Sequence, residues 1–459
     1  MSIFRTQNIE SISKHVSSSE KNLGTLDLTL MSIGSVIGTG VMVLTGIVAA
    51  KEAGPGVMLS FLIGGIAAAV IVLCYAELCS AIPSSGGSYT FIYTTMGEIV
   101  AYVGGLCIVI GYILATATVA SGWGGYLVNF LDAFKIHIPK VLTTIPSEGG
   151  IVNLPAIFAI LAITFVISRG TKDSKNVNNI MVIIKIGVIA LFVIVGVFHV
   201  STKNWSPFLP YGTTGVMTGA ASVFFAYCGF DATASAAPYV KNPKRALPIG
   251  LLVSLGVCTV IYISVSAVLT GITLYSNLNV SDALSYALNV AGDHTISLIV
   301  ALGSVIGILA VIFASNFATS QIISTMSVDG LLPKIFHKKD KNDVPYISLW
   351  VVGIIGSILA GFVNLSQLAN FASIALLLVY GLVSFSIIIF RRNFPDVERG
   401  FKTPLVPVVP ILGAGCCIFL MTNLSKTTFV IFGVVLILIL ISYFIYGKNH
   451  SAIIDEKTK

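Results

Sequence analysis

The chain has 459 residues, of which 56% are hydrophobic and only 10% charged, with a mean hydropathy of +0.96. Soluble chains of average composition are about 25% charged, so this surface cannot be covered with charge. That excludes a soluble enzyme, a nucleic-acid-binding domain and a disordered scaffold as readings of the whole chain, and the net charge of +7 implies no polyanionic partner until the charges are placed.

Apolar runs between polar breaks predict an all-α membrane protein of twelve transmembrane helices, at 26–50, 55–82, 99–131, 151–168, 177–200, 215–239, 248–274, 295–324, 345–363, 368–390, 405–424 and 427–446. Each is long enough to cross about 30 Å of hydrocarbon. Alternation with period 2 is absent, so helices are preferred over a barrel.

Charge placement predicts orientation. With both termini on one side, that side carries Arg5, Lys14, Lys21, Arg169, Lys172, Lys175, Lys241, Lys244, Arg245, Lys334, Lys338, Lys339, Lys341, Arg391, Arg392, Arg399, Lys402, Lys448, Lys457 and Lys459. The other side has Lys51, Lys135, Lys140, Lys203 and Lys426, and Lys185 lies inside a span. The bias makes the side with the termini cytoplasmic and the location the cell membrane. The first span follows a polar tail and has no small-residue cleavage site at its end, so it is expected to insert uncleaved.

All seven cysteines (Cys74, Cys79, Cys107, Cys228, Cys258, Cys416, Cys417) fall inside spans without a CxxC, and are expected as free thiols. The histidines lie in loops, tails or at a span edge. No HExxH, GxSxG or P-loop is present, so no metal, cofactor or catalytic residue is expected.

Two spans contain a run that weakens a helix: Gly34-Ser35-Val36-Ile37-Gly38-Thr39-Gly40 in the first, and Phe224-Phe225-Ala226-Tyr227-Cys228-Gly229-Phe230-Asp231 in the sixth. Glycine inside a helix costs about 1 kcal/mol relative to alanine. Unwound backbone at membrane depth is tolerated only where protein or a polar ligand satisfies it. The free N–H groups of the half-helix that follows a break suit a carboxylate. The carbonyls that end the preceding half-helix suit an ammonium, so one zwitterion matches both ends. Gly34 and Gly38 alone also fit a close helix-packing patch. Breaks in spans one and six, the first members of two successive five-helix sets, point to an inverted repeat with a site at the midplane.

The residues Ile33-Gly34-Ser35-Val36-Ile37-Gly38-Thr39-Gly40-Val41, Tyr75-Ala76-Glu77-Leu78, Ile82-Pro83-Ser84-Ser85-Gly86-Gly87-Ser88-Tyr89, Phe224 to Ala232, Val240-Lys241-Asn242-Pro243, Leu247-Pro248-Ile249-Gly250 and Asp329-Gly330-Leu331-Leu332-Pro333 resemble the amino acid/polyamine/organocation permeases. The branch they are most similar to is that of the bacterial relatives of the cationic amino acid transporters. The resemblance implies the leucine-transporter fold. On that reading 1–25 is a cytoplasmic tail, 26–200 and 201–392 are two inverted five-helix repeats, 393–447 holds helices eleven and twelve, and 448–459 is a second cytoplasmic tail.

The resemblance also implies a substrate site of Val36, Gly38, Thr39, Gly40, Phe225, Ala226 and Cys228. The amides of Thr39 and Gly40 would meet a carboxylate, and the carbonyls of Val36, Phe225 and Cys228 an ammonium. Phe225 stands where the family has an aromatic lid. Lys185 stands where proton-coupled relatives carry a lysine in place of sodium, its amine near the carbonyls of Gly34 and Ile37. Charge inside a span costs about 2.5 kcal/mol or more, so a lysine there is suited to exchanging a proton. Alternatively Lys185 snorkels to the nearby helix end. Asp231 either holds the second break open or pairs in a gate. Asn316 either lines the pocket or bonds a neighbouring helix, and Glu77 is expected to pair with a basic loop residue.

The chain departs from the family where cationic transporters carry acids. The third-span stretch Leu106-Cys107-Ile108-Val109-Ile110-Gly111-Tyr112 has none, Pro238-Tyr239 replaces an acidic pair, and Gln321 and Val328 replace basic residues. The expectation is therefore a proton-coupled symporter of neutral α-amino acids working by alternating access, with the proton and the bilayer as its other partners. An exchanger, a cationic amino acid or polyamine carrier, and a non-transporting sensor with the same fold stay open.

Overall fold

In lipid each backbone amide must find its acceptor within its own segment or elsewhere in the protein, and the described residues do this mainly with helices. The computed structural model describes residues 5–7, 23–169, 174–340 and 344–452. Lys14, Lys21, Lys172, Lys341, Lys457 and Lys459 lie outside the described residues, as does most of both expected tails. The extended pairings among the described residues are two isolated bridges, Leu23 with Val240 and Thr143 with Asn153.

The α-helices are α1 (Thr25–Val36), α2 (Val57–Ala81), α3 (Ser88–Met96), α4 (Glu98–Ala133), α5 (Leu154–Ser168), α6 (Ser174–Gly196) and α7 (Gly212–Val223). They continue as α8 (Pro243–Ile272), α9 (Ala283–Val290), α10 (His294–Val328), α11 (Tyr346–Phe362), α12 (Leu365–Asn393), α13 (Val408–Thr422) and α14 (Lys426–Ser442). Seven helical stretches among the described residues are long and apolar enough to cross a membrane: Gly40–Ala81, Glu98–Ala133, Asn179–His199, Pro243–Ile272, His294–Val328, Leu365–Asn393 and Lys426–His450. The first turns at Gly54-Pro55-Gly56, where Pro55 has no N–H to donate and Gly54 takes φ +60. Four shorter apolar helices, α1, α5, α11 and α13, accompany them. The chain is thus a multi-pass membrane protein.

Lipid offers helices little hydrophobic reason to associate, so close packing of small residues matters more. The central helices show it. A methyl group on Gly111 of α4 would lie 2.8 Å from Leu376 of α12, and one on Gly307 of α10 would lie 2.8 Å from the Lys185 Cβ of α6. The outward faces carry Ile183, Ile194, Ile418, Val430 and Ile437, all exposed, as lipid contact requires.

Two short helices, α3 and α9, fall between the expected spans. Apolar-run reading passes over both because each is under ten residues. On the side of the termini, Glu98 at the start of α4 is fully buried. It accepts hydrogen bonds from Arg5 (3.1 Å), Tyr93 (3.2 Å), Tyr443 (2.9 Å) and Ser451 (2.6 Å). Residues from both ends of the chain therefore meet at one carboxylate.

Candidate functional site

The first break is shorter than its glycine run. α1 continues through Gly34 and ends at Val36; Ile37 is extended at φ −75 and ψ 107, and helix resumes at Gly40 with a π-turn, Gly40–Leu44. The second break follows the 3-10 turn Phe224–Tyr227. Cys228 is extended, Gly229 takes φ +110, and a 3-10 segment Phe230–Tyr239 follows. Only a residue without Cβ takes that φ at no cost.

The breaks face each other. Ser35 Oγ donates to the Gly229 carbonyl at 2.9 Å. A Cβ on Gly40 would sit 2.5 Å from the Ala226 Cα, so the two backbones touch there. At the α1 entrance Leu23 N–H donates to the Tyr239 carbonyl (2.9 Å) and Lys241 N–H to the Leu23 carbonyl (3.0 Å). The two interrupted segments are thus fastened at the break and again at one end.

Between the breaks lies a narrow cavity lined by Val36, Gly38, Thr39, Gly40, Phe225, Ala226 and Cys228, together with Tyr112, Ala115 and Val119 of α4, Val311 and Ser315 of α10, and Leu376 of α12. It offers about 20 Å³ to the centre of a water-sized sphere, room for roughly one water. An amino acid needs the walls to part. Thr39 and Gly40 open the helical segment after the break, and the first amides of a helix have no acceptor within it. The Thr39 hydroxyl is buried without a hydrogen-bond partner. The cavity therefore brings the helix start at Thr39 and Gly40 together with Val36, Phe225 and Cys228 of the interrupted segments, with no carboxylate in its lining.

Lys185 is fully buried, and its Nζ donates to the carbonyls of Gly34 at 2.9 Å and Ile37 at 2.5 Å. A lysine that reaches backbone carbonyls in the protein interior is not extended toward a helix end. The stem lies against Gly307, whose missing side chain leaves the space.

Asp231, in the first turn after the second break, is buried and accepts the Tyr380 hydroxyl at 2.9 Å, while the Gly229 N–H points to the same Tyr380 oxygen at 3.4 Å. It does not line the cavity. Asn316 does not line it either: its Nδ2 donates to Thr164 Oγ1 at 3.2 Å, between α10 and α5. Glu77 is fully buried and takes both Arg391 donors (3.0 and 2.8 Å) and the Thr403 N–H (2.7 Å), with Arg399 Nε at 3.3 Å. All seven cysteines are free, and no group of metal-ligating side chains occurs among the described residues.

Sequence reasoning missed Tyr262 of α8. It is fully buried, and its hydroxyl lies 3.1 Å from the Val36 carbonyl and 2.7 Å from the Ala226 carbonyl, touching both breaks. Its only signal in the sequence is a polar atom inside an apolar helix, which Tyr380 and Tyr112 share.

Comparisons with known proteins cover most of the chain. A family model described as amino acid permease matches residues 23–452. A methylthioribose transporter of Bacillus subtilis (strain 168) is 42% identical, covering 98% of this chain and 99% of the relative. A branched-chain amino acid permease, BcaP, of the same organism is 41% identical, covering 98% of each. Cationic amino acid transporter 4 of Homo sapiens is 34% identical over 82% of this chain and 61% of its own length.

Proposed function

The chain belongs to the amino acid permease family, and on that premise we propose that it is a proton-coupled symporter of neutral α-amino acids. It would lie in the cell membrane with both termini cytoplasmic. Its helices form twelve spans, with 26–200 and 201–392 as inverted five-helix repeats and two further helices outside them. The observation that carries this reading is the pair of facing breaks around one cavity, whose lining includes Thr39 and Gly40 on one side and Val36, Phe225 and Cys228 on the others. On this proposal the amides of Thr39 and Gly40 receive the α-carboxylate and the carbonyls of Val36, Phe225 and Cys228 the α-ammonium, and Phe225 closes over the side chain. Apolar walls at Ala115, Val119, Val311 and Leu376 favour an uncharged side chain, because a buried cation without a partner is costly.

Coupling to protons is assigned to Lys185. When charged it holds the Gly34 and Ile37 carbonyls and braces α1 against α6. When neutral it has a weaker hold, and α1 is freer to move against the bundle. Asp231, through Tyr380, keeps the second break unwound and takes part in the gate. Asn316 is more simply a strut between α10 and α5, given its bond to Thr164.

Relatives of nearly equal identity carry the names of a methylthioribose transporter and a branched-chain permease, so overall identity does not choose the substrate. The test is uptake into proteoliposomes of a panel of labelled amino acids plus methylthioribose, with and without an inward pH gradient. Gradient-driven accumulation of a neutral amino acid supports the proposal. Uptake of methylthioribose alone, exchange without accumulation, preference for arginine or polyamines, or binding without flux would each replace it.

A further inference from the structure

Tyr262 presents one proton to two acceptors. Its hydroxyl lies between the carbonyl of Val36, the last residue of α1, and that of Ala226, in the 3-10 turn before the second break. A phenol has a single O–H to donate, so it satisfies one of these carbonyls fully or both weakly. Both are carbonyls near a helix end, where partners within the helix run out. The ring itself has little freedom. It packs against Phe61, with centroids 5.2 Å apart, and against Tyr227, at 5.1 Å. Only the O–H bond can turn.

We propose that Tyr262 is a positioning residue that shares its proton between the two breaks and yields the Val36 carbonyl to the substrate's α-ammonium. This rests on the reading that the ammonium meets Val36. Before binding, one hydroxyl spans both carbonyls and keeps the gap narrow. On binding, the ammonium supplies its own donor to Val36, and the Tyr262 proton passes wholly to Ala226, already the nearer acceptor. Both carbonyls are then satisfied, and the hold between α1 and the second break is released. Occupancy of the site is thereby converted into freedom of the two half-helices to move apart.

The test is Tyr262→Phe in the full chain, which keeps the aromatic packing and removes the proton. The ligand is the amino acid that the wild type takes up best from a panel of twenty. Binding is measured in detergent and turnover in proteoliposomes. The competitor for Val36 is gone, so Kd should stay within about three-fold of wild type or fall, while turnover drops at least about ten-fold because empty and occupied sites are no longer distinguished. A Kd raised more than three-fold, or turnover within two-fold of wild type, overturns the inference. If the variant does not assemble, 3-fluorotyrosine at position 262 replaces it. Its fluorine resonance should move on adding the amino acid, and an unmoved resonance in a protein that binds overturns the inference. If the wild type binds none of the twenty, the amino acid reading itself falls, and this inference with it.

Discussion

Ser35 Oγ donates to the Gly229 carbonyl at 2.9 Å, joining the broken first segment to the left-handed residue of the second. The same hydroxyl also lies 3.0 Å from the Ser32 carbonyl, so α1 and the second break share it. Gly229→Ala meets two penalties at this point. The new Cβ would approach the Ser35 carbonyl oxygen to 2.8 Å, and a side chain in the left-handed region costs about 1–2 kcal/mol. The expected outcome is a lower melting temperature and weaker substrate binding in detergent. Ser35→Ala should cost about 1 kcal/mol, the usual worth of one hydrogen bond, and lower the melting temperature less. Equal stability of Gly229→Ala and wild type would contradict the observed backbone.

Gly40→Ala tests the contact between the breaks. A methyl group there would lie 2.5 Å from the backbone of Ala226, whereas one on Gly38 would meet only the side-chain end of Val311, at 3.1 Å. Backbone yields less readily than a rotatable side chain. Gly40→Ala should therefore lose most substrate binding, and Gly38→Ala much less. Alkylation of Cys228, which lines the same cavity, gives a second readout. Substrate should protect Cys228 in the wild type and in Gly38→Ala, but not in Gly40→Ala.

Much of this site was legible because helix-weakening residues are local. Three glycines in seven residues mark the first break whatever surrounds them, and a lysine in an apolar run is conspicuous. The limits of the break were not legible. Gly34 stays helical, since a glycine lowers helix stability without dictating where the helix ends. Tyr262 and Tyr380 were missed because their acceptors sit on other segments: Asp231 is 149 residues from Tyr380, and Val36 and Ala226 are 226 and 36 residues from Tyr262. An isolated tyrosine in an apolar helix gives no sign of its acceptor. Asn316 is the converse: its depth in a span made it a candidate for the pocket, but the helix rotates it toward Thr164.

The proposed preference for neutral side chains rests on the walls. The cavity's lining contains no acidic side chain. Asp231 is nearby but engaged by Tyr380. A lysine or arginine substrate would bury its cation without a counter-charge, which costs several kcal/mol unless it is paired. In competition against the best labelled substrate, alanine, serine and the branched-chain amino acids should outcompete arginine and lysine by at least about ten-fold, equal to 1.4 kcal/mol. The reverse order would show that the side chain leaves the cavity toward a charge elsewhere.

Lys185 bears the last prediction. Its amine is the side-chain donor to the carbonyls of Gly34 and Ile37, which flank the end of α1. An unsatisfied buried carbonyl costs about 1–3 kcal/mol, so Lys185→Ala leaves up to two such costs and a space beside Gly307. Lower stability is therefore expected of Lys185→Ala under any reading, and stability alone decides nothing. Coupling does decide. If proton exchange at this amine drives transport, Lys185→Ala should lose accumulation driven by an inward pH gradient while keeping measurable binding. Lys185→Arg restores a cation and donors for the carbonyls but cannot release its proton. It should therefore recover stability without recovering pH-driven accumulation. A purely structural lysine predicts the opposite pairing, with stability and accumulation returning together in the arginine variant. Uptake by the three proteins, measured with and without the gradient at matched amounts of folded protein, separates the two. Accumulation by Lys185→Ala with unchanged pH dependence would leave Lys185 as a brace between α1 and α6 and remove it from the coupling step.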